Sequence, residues 1–123
     1  MAHILVIDDE ADIRTILEAL LTREGHTVDS TDNGEAGLRL ADQNRYDLVI
    51  SDVLMPGMDG LEVVTRIRQK FPDMRIIVMT GGTAKIDKGM LLSMTQALKA
   101  FKVVTKPISF KELKDAVNEI LAG

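Results

Sequence analysis

Short apolar runs rich in β-branched residues alternate along this chain with longer stretches in which apolar residues recur every three or four positions. The runs His3 to Ile7, Thr27 to Thr31, Asp47 to Ser51, Arg75 to Met79 and Phe101 to Val104 read as strands. Ile13, Ile16, Leu17, Leu20 and Leu21 follow the first at helical spacing, and Leu61, Val64, Ile67 and Arg68 follow the third. Two periods alternating in this way predict five βα units around a parallel sheet. The first, third and fourth runs are apolar throughout, which suits central strands covered on both faces. Asp59 with Glu62, and Ser109 with Glu112, have the spacing of capping boxes that open the third and last helices.

The 123 residues, 46% of them hydrophobic, suffice for one continuous core, so residues 1–123 are expected to form one domain. No apolar run reaches the roughly 20 residues needed to span a bilayer, and no leader pattern opens the chain. A soluble, intracellular protein without membrane contact is expected. The lack of cysteine excludes disulfides and thiolate metal sites, and His3 and His26 stand too far apart to suggest a ligand cluster. With a net charge of −4 and its basic residues dispersed, the chain offers no footprint for a phosphate backbone. Three Phe and one Tyr leave little for stacking on bases, so direct nucleic-acid binding is not expected.

In an open parallel sheet, ligands bind beyond the carboxyl ends of the strands. There the chain places Asp8 and Asp9 after the first strand, Asp52 at the third, Thr80 at the fourth and Lys106 at the fifth. Singly, each reads as a helix cap, a turn residue or a solvated charge. Jointly, three carboxylates from adjacent central strands would repel one another unless a cation lay among them. Mg²⁺ suits such a pocket, since it takes one or two carboxylates and keeps positions for water and phosphate oxygens; Ca²⁺ suits it less, because its usual 12-residue loop is missing. Phosphoryl transfer asks mainly for positioning and charge stabilisation. Asp52 would be the nucleophile, Lys106 and the Thr80 hydroxyl would contact phosphoryl oxygens, and Gly81 and Gly82 would let backbone amides approach.

The segments Ile4 to Glu10 (ILVIDDE), Asp47 to Gly60 (DLVISDVLMPGMDG), Val78 to Gly81 (VMTG) and Val103 to Ile108 (VVTKPI) resemble, in order and over the whole chain, the receiver domains of two-component response regulators. The resemblance implies a flavodoxin-like, doubly wound (βα)5 fold with strand order 2-1-3-4-5, as in the chemotaxis regulator. It implies a cytoplasmic phosphoprotein whose Asp52 takes a phosphoryl group from the phosphohistidine of a sensor histidine kinase or phosphotransfer protein. It implies Mg²⁺ held by Asp9, Asp52 and the backbone carbonyl of Leu54, with Asp8 assisting through water. Such a domain promotes only its own phosphorylation and dephosphorylation and is not otherwise an enzyme. It acts on a downstream target or output domain, and a homodimer is compatible with it. The Lys106–Pro107 peptide is expected to be cis.

Two features depart from the family. The aromatic residue usual three positions before the lysine is replaced by Val103, with Phe101 two residues earlier on the same strand face. The separation between Thr80 and Lys106 is a few residues longer than usual, with the extra length expected between Gly82 and Lys88. Met90, Leu91, Met94 and Leu98 then read as an amphipathic helix whose Met residues fill the core, and because the altered region falls on the face that usually recognises partners, a modified output surface is expected.

Three other readings use the same fold or chemistry. A receiver-like interaction module that takes no phosphate would not need Asp8, Asp9, Asp52, Thr80 and Lys106 together. A flavin-binding protein would place hydroxyls and glycines after the first strand, where this chain has Asp8, Asp9, Glu10 and Asp12. A haloacid-dehalogenase-type phosphatase would carry an Asp-x-Asp pattern there, which is missing.

Overall fold

A computed structural model describes residues 1–53, 60–80 and 101–122. Within them the chain runs β1 (His3–Ile7), α1 (Ala11–Arg23), β2 (Thr27–Thr31), α2 (Gly34–Gln43), β3 (Leu48–Asp52), α3 (Gly60–Lys70), β4 (Arg75–Thr80), β5 (Phe101–Thr105) and the last helix, here α4 (Phe110–Ala122). The five strands form one parallel sheet in the order β2-β1-β3-β4-β5, as expected for the flavodoxin-like fold. The expected Asp59 cap, the Leu54 carbonyl, Gly81, Gly82 and the lengthened segment with its Met-rich helix lie outside the described residues.

Alternate side chains of the central strands point to opposite faces, and each face carries its own core. Ile4, Val6, Leu48, Ile50, Ile77, Met79 and Val104 pack against Leu17 and Leu21 of α1 and Leu113, Val117 and Ile120 of α4. Leu5, Ile7, Val49, Ile76 and Val78 pack against Ala41 of α2 and Val63, Val64 and Ile67 of α3. Burying each of these large aliphatic side chains contributes about 1.5–3 kcal/mol, so the two layers fix the sheet from both sides.

Ile16 is an exception to the expected apolar stripe. At about 100° per residue it falls on the flank of the arc that Ile13, Leu17, Leu20 and Leu21 share, and it is exposed. At the other end of the chain, the Ser109 hydroxyl accepts a hydrogen bond from the Glu112 amide (3.3 Å), which is the Ser109 half of the capping box predicted for α4.

β3 sits one residue later than the apolar run suggested. Asp47 stays outside the strand: its amide donates to the His3 carbonyl (2.8 Å), and its carboxylate accepts from the His3 amide (2.8 Å). Asp52 is instead the strand's last residue, paired in register with Met79 and followed by a Val53 amide that donates to the Met79 carbonyl (3.0 Å). The backbone that carries Asp52 is therefore held by the ladder.

Candidate functional site

The chain passes from one sheet face to the other between β1 and β3, so a crevice opens beyond their carboxyl ends. β1 delivers Asp8 and Asp9 into it, and β3 delivers Asp52. One carboxylate oxygen from each of these three residues lies within 4.8 Å of the others. Asp8 is fully buried and Asp52 nearly so, while Asp9 faces solvent.

Lys106 enters from the edge of the sheet. Its amide donates to the Thr80 carbonyl (2.6 Å), which clamps the ends of β4 and β5 together, and the Lys106–Pro107 peptide that follows is cis. Its Nζ lies 3.0 Å from Asp8 Oδ2, 3.1 Å from Glu10 Oε2 and 3.1 Å from Asp52 Oδ2. Burial alone would lower the pKa of this ammonium. The contacts with Asp8 and Glu10, the Asp8 charge and the hydrogen bond to Asp52 outweigh burial and push it above the ordinary lysine value.

Asp8 Oδ1 accepts a hydrogen bond from the Glu10 amide (2.8 Å), whereas Asp8 Oδ2 is buried without a hydrogen bond among the described residues and lies 3.0 Å from the Lys106 ammonium. A buried carboxylate oxygen with spare lone pairs, facing two further carboxylates, fits a hard divalent cation with oxygen ligands. The donor set therefore suits Mg²⁺.

The structure thus brings together Asp8, Asp9, Asp52 and Lys106, and it places Thr80 beside Lys106 through the backbone. Val103, in register with Val78, is partly buried against the second core. Three residues escaped the sequence reading. Arg14 donates from Nη1 to the Asp8 carbonyl (2.8 Å) and so holds the turn after β1. Glu10 reaches Lys106. Gly60 donates its amide to the Val53 carbonyl (2.8 Å), and a Cβ on it would fall 1.8 Å from the Asp52 carbonyl oxygen. The last of these had a sequence signal, since Gly60 closes the specific segment Asp47 to Gly60. The contact of Glu10 had none.

At the opposite end of the sheet, Asp29 Oδ2 accepts from the Tyr46 hydroxyl (2.8 Å) and lies 2.9 Å from His3 Nε2. Burial, then the hydrogen bond and charge of Asp29, push the Tyr46 phenol pKa well above its usual value. This group ties β1, β2 and the entry to β3 and takes no part in the acidic crevice.

The model of the Response regulator receiver domain family matches residues 4–118. The chain is 38% identical over 122 residues to the DNA-binding transcriptional regulator NtrC of Azospirillum brasilense, covering 98% of this chain and 24% of that protein. It is 32% identical over 118 residues to sporulation initiation phosphotransferase F of Bacillus subtilis, covering 96% and 92%. The crystal structure of response regulator protein TrrA from Thermotoga maritima, in complex with Mg²⁺-BeF, superimposes with a TM-score of 0.83 at 41% identity, covering 98% and 99%. The chain spans only 24% to 52% of the length of several transcriptional regulators that it matches. No helix among the described residues is long and apolar enough to cross a membrane. With an acidic crevice at the switch point of the sheet and a lysine across it, the chain belongs to the response regulator receiver domain family.

Proposed function

We infer that Asp52 is the acceptor of a phosphoryl group delivered from phosphohistidine on a sensor histidine kinase or phosphotransfer protein. The observation that carries this reading is the convergence of Lys106 Nζ on Asp52 Oδ2 inside a crevice that Asp8 and Asp9 make acidic. Asp52 offers a carboxylate oxygen on a backbone that the β3–β4 ladder immobilises, so in-line attack on phosphorus costs little reorganisation. The P–N bond of the donor breaks, the imidazole leaves with its electron pair, and a P–O bond to Asp52 forms.

Asp8, Asp9 and Asp52, with the Leu54 carbonyl, would hold Mg²⁺. That ion, when bound, offsets the charge of the carboxylates and of the phosphoryl oxygens. Lys106 then turns from the carboxylates to a phosphoryl oxygen, and the Thr80 hydroxyl and the Gly81 amide take others. The domain works on itself alone, loading and hydrolysing its own acyl phosphate, and signals by a change of surface. With Val103 where an aromatic switch residue is usual, that change runs through Thr80 and the β4–β5 edge. The relatives named as transcriptional regulators support an output domain or separate target as the next partner.

Incubation with acetyl phosphate, followed by phosphate-affinity electrophoresis, tests this. A retarded band that needs Mg²⁺, vanishes with chelator and is missing in Asp52→Asn is expected. An unshifted wild-type protein would favour a receiver-like interaction module that takes no phosphate.

A further inference from the structure

Glu10 occupies the N-cap of α1, where Ser, Thr, Asp or Asn is favoured because a short side chain can accept from the first free amides. Its side chain makes no capping hydrogen bond. It extends instead to Lys106, 96 residues away, where Oε2 accepts from Nζ (3.1 Å). A local rule is thus set aside for a long-range contact at the reactive lysine, the kind of conflict expected where a residue serves function.

Lys106 Nζ has three hydrogens and faces three carboxylates, Asp8, Glu10 and Asp52. Nζ donates to Glu10 and Asp52 and lies against buried Asp8, so a phosphoryl oxygen must compete with these carboxylates for the ammonium. Asp8 is fully buried and Asp52 bears the new bond, whereas the Glu10 side chain is 58% exposed and free to swing into water.

Resting on the phosphoacceptor reading of Asp52, we propose that Glu10 is a positioning residue that holds Lys106 in the resting state and must release it for phosphorylation, thereby restraining loading by small anionic phosphodonors. The exchange replaces Glu10 by a phosphoryl oxygen on the same ammonium, while Glu10 turns to solvent. With acetyl phosphate as donor, the bond between phosphorus and the bridging oxygen breaks, acetate leaves with the electron pair, and the Asp52 oxygen–phosphorus bond forms; no proton is required. Glu10 touches neither phosphorus nor the leaving group and acts through Lys106 alone.

The test compares the second-order rate constant for acetyl phosphate, at saturating Mg²⁺, among wild type, Glu10→Gln and Glu10→Asp, with Asp52→Asn as the blank. Glu10→Gln removes the charge and keeps the length. Glu10→Asp keeps the charge, is too short to hold Lys106 and is a better cap, so it also controls for folding. Both variants are expected to load faster than wild type by about twofold to fivefold, the range that an exposed ion pair spans. Equal rates in all three proteins would overturn the proposal. So would a gain in Glu10→Gln alone, which would assign the effect to charge at the mouth and not to the hold on Lys106. A wild type that loads no faster than Asp52→Asn would instead sink the acceptor reading itself.

Discussion

Replacing Lys106 by Met should remove the cation that offsets the buried carboxylates of an already acidic crevice. Met keeps most of the aliphatic stem, so the change isolates the ammonium. That ammonium lies 3.0 Å from Asp8 Oδ2 and 3.1 Å from Asp52 Oδ2, and these side chains are 0% and 8% exposed. At an effective dielectric constant of about 20, each contact is worth roughly 5 kcal/mol before desolvation is subtracted, and desolvation cancels most of it in the intact cluster. Loss of the cation removes the attraction but leaves the desolvated carboxylates in place, which typically costs about 3–5 kcal/mol. Glu10, mostly in water, adds at most about 1 kcal/mol. Urea unfolding followed by circular dichroism, in chelator, should therefore place Lys106→Met about 3–5 kcal/mol below wild type.

Divalent ions sharpen the test. A ligand that binds only the folded state at a hundred times its Kd adds about 2.7 kcal/mol. Mg²⁺ should stabilise the variant more than wild type, because the Lys106 ammonium no longer competes for Asp8 and Asp52. A variant within about 0.5 kcal/mol of wild type in chelator, or one indifferent to Mg²⁺, would refute the electrostatic account of the crevice.

Further outcomes follow from other contacts. Gly60→Ala would put a Cβ 1.8 Å from the Asp52 carbonyl oxygen and 2.6 Å from Val53 Cα, so the turn after β3 must move; unfolding should show a loss of about 1–3 kcal/mol, and acetyl phosphate should load Asp52 more slowly. Tyr46 is the only tyrosine and there is no tryptophan, so its phenolate absorbance can be followed without overlap: in native protein it should rise well above pH 10, and in urea near pH 10. Lys106 and Tyr46 both have folded pKa values above their unfolded ones, so their contributions to stability are complete below about pH 10 and decline as pH rises beyond it. Urea midpoints that stay constant between pH 9 and 11 would contradict that assignment.

Much of the site was legible because parallel sheets put chemistry at strand ends. Asp8, Asp9, Asp52, Thr80 and Lys106 each follow or close an apolar run, and the runs of β1, β3 and β4 are continuous enough to mark the centre of the sheet. Residues acting across the sheet were less visible. Glu10 looked like another acid in the turn, since its bond to Lys106 depends on how α1 and β5 are placed in space. Ile16 counted toward the apolar stripe of α1 but lies on its flank and is exposed, while Ile13, Leu17, Leu20 and Leu21 face the core. β3 lies one residue later than the apolar run suggested, with Asp47 before its start in contact with His3 and Asp52 as its last residue, a shift that periodicity alone does not reveal. His3 offered no ligand cluster in the sequence. Its partners, Asp29 and the Arg45 carbonyl, arrive from β2 and from the turn before β3.

The central claim, that Asp52 is the acceptor, is tested most directly by locating the phosphoryl group. The protein is incubated with acetyl phosphate and Mg²⁺, the acyl phosphate is reduced with borohydride, and proteolytic peptides are sequenced by mass spectrometry. The account predicts homoserine at position 52 alone. Homoserine at Asp8 or Asp9, or an unreduced Asp52 in fully folded protein, would contradict it.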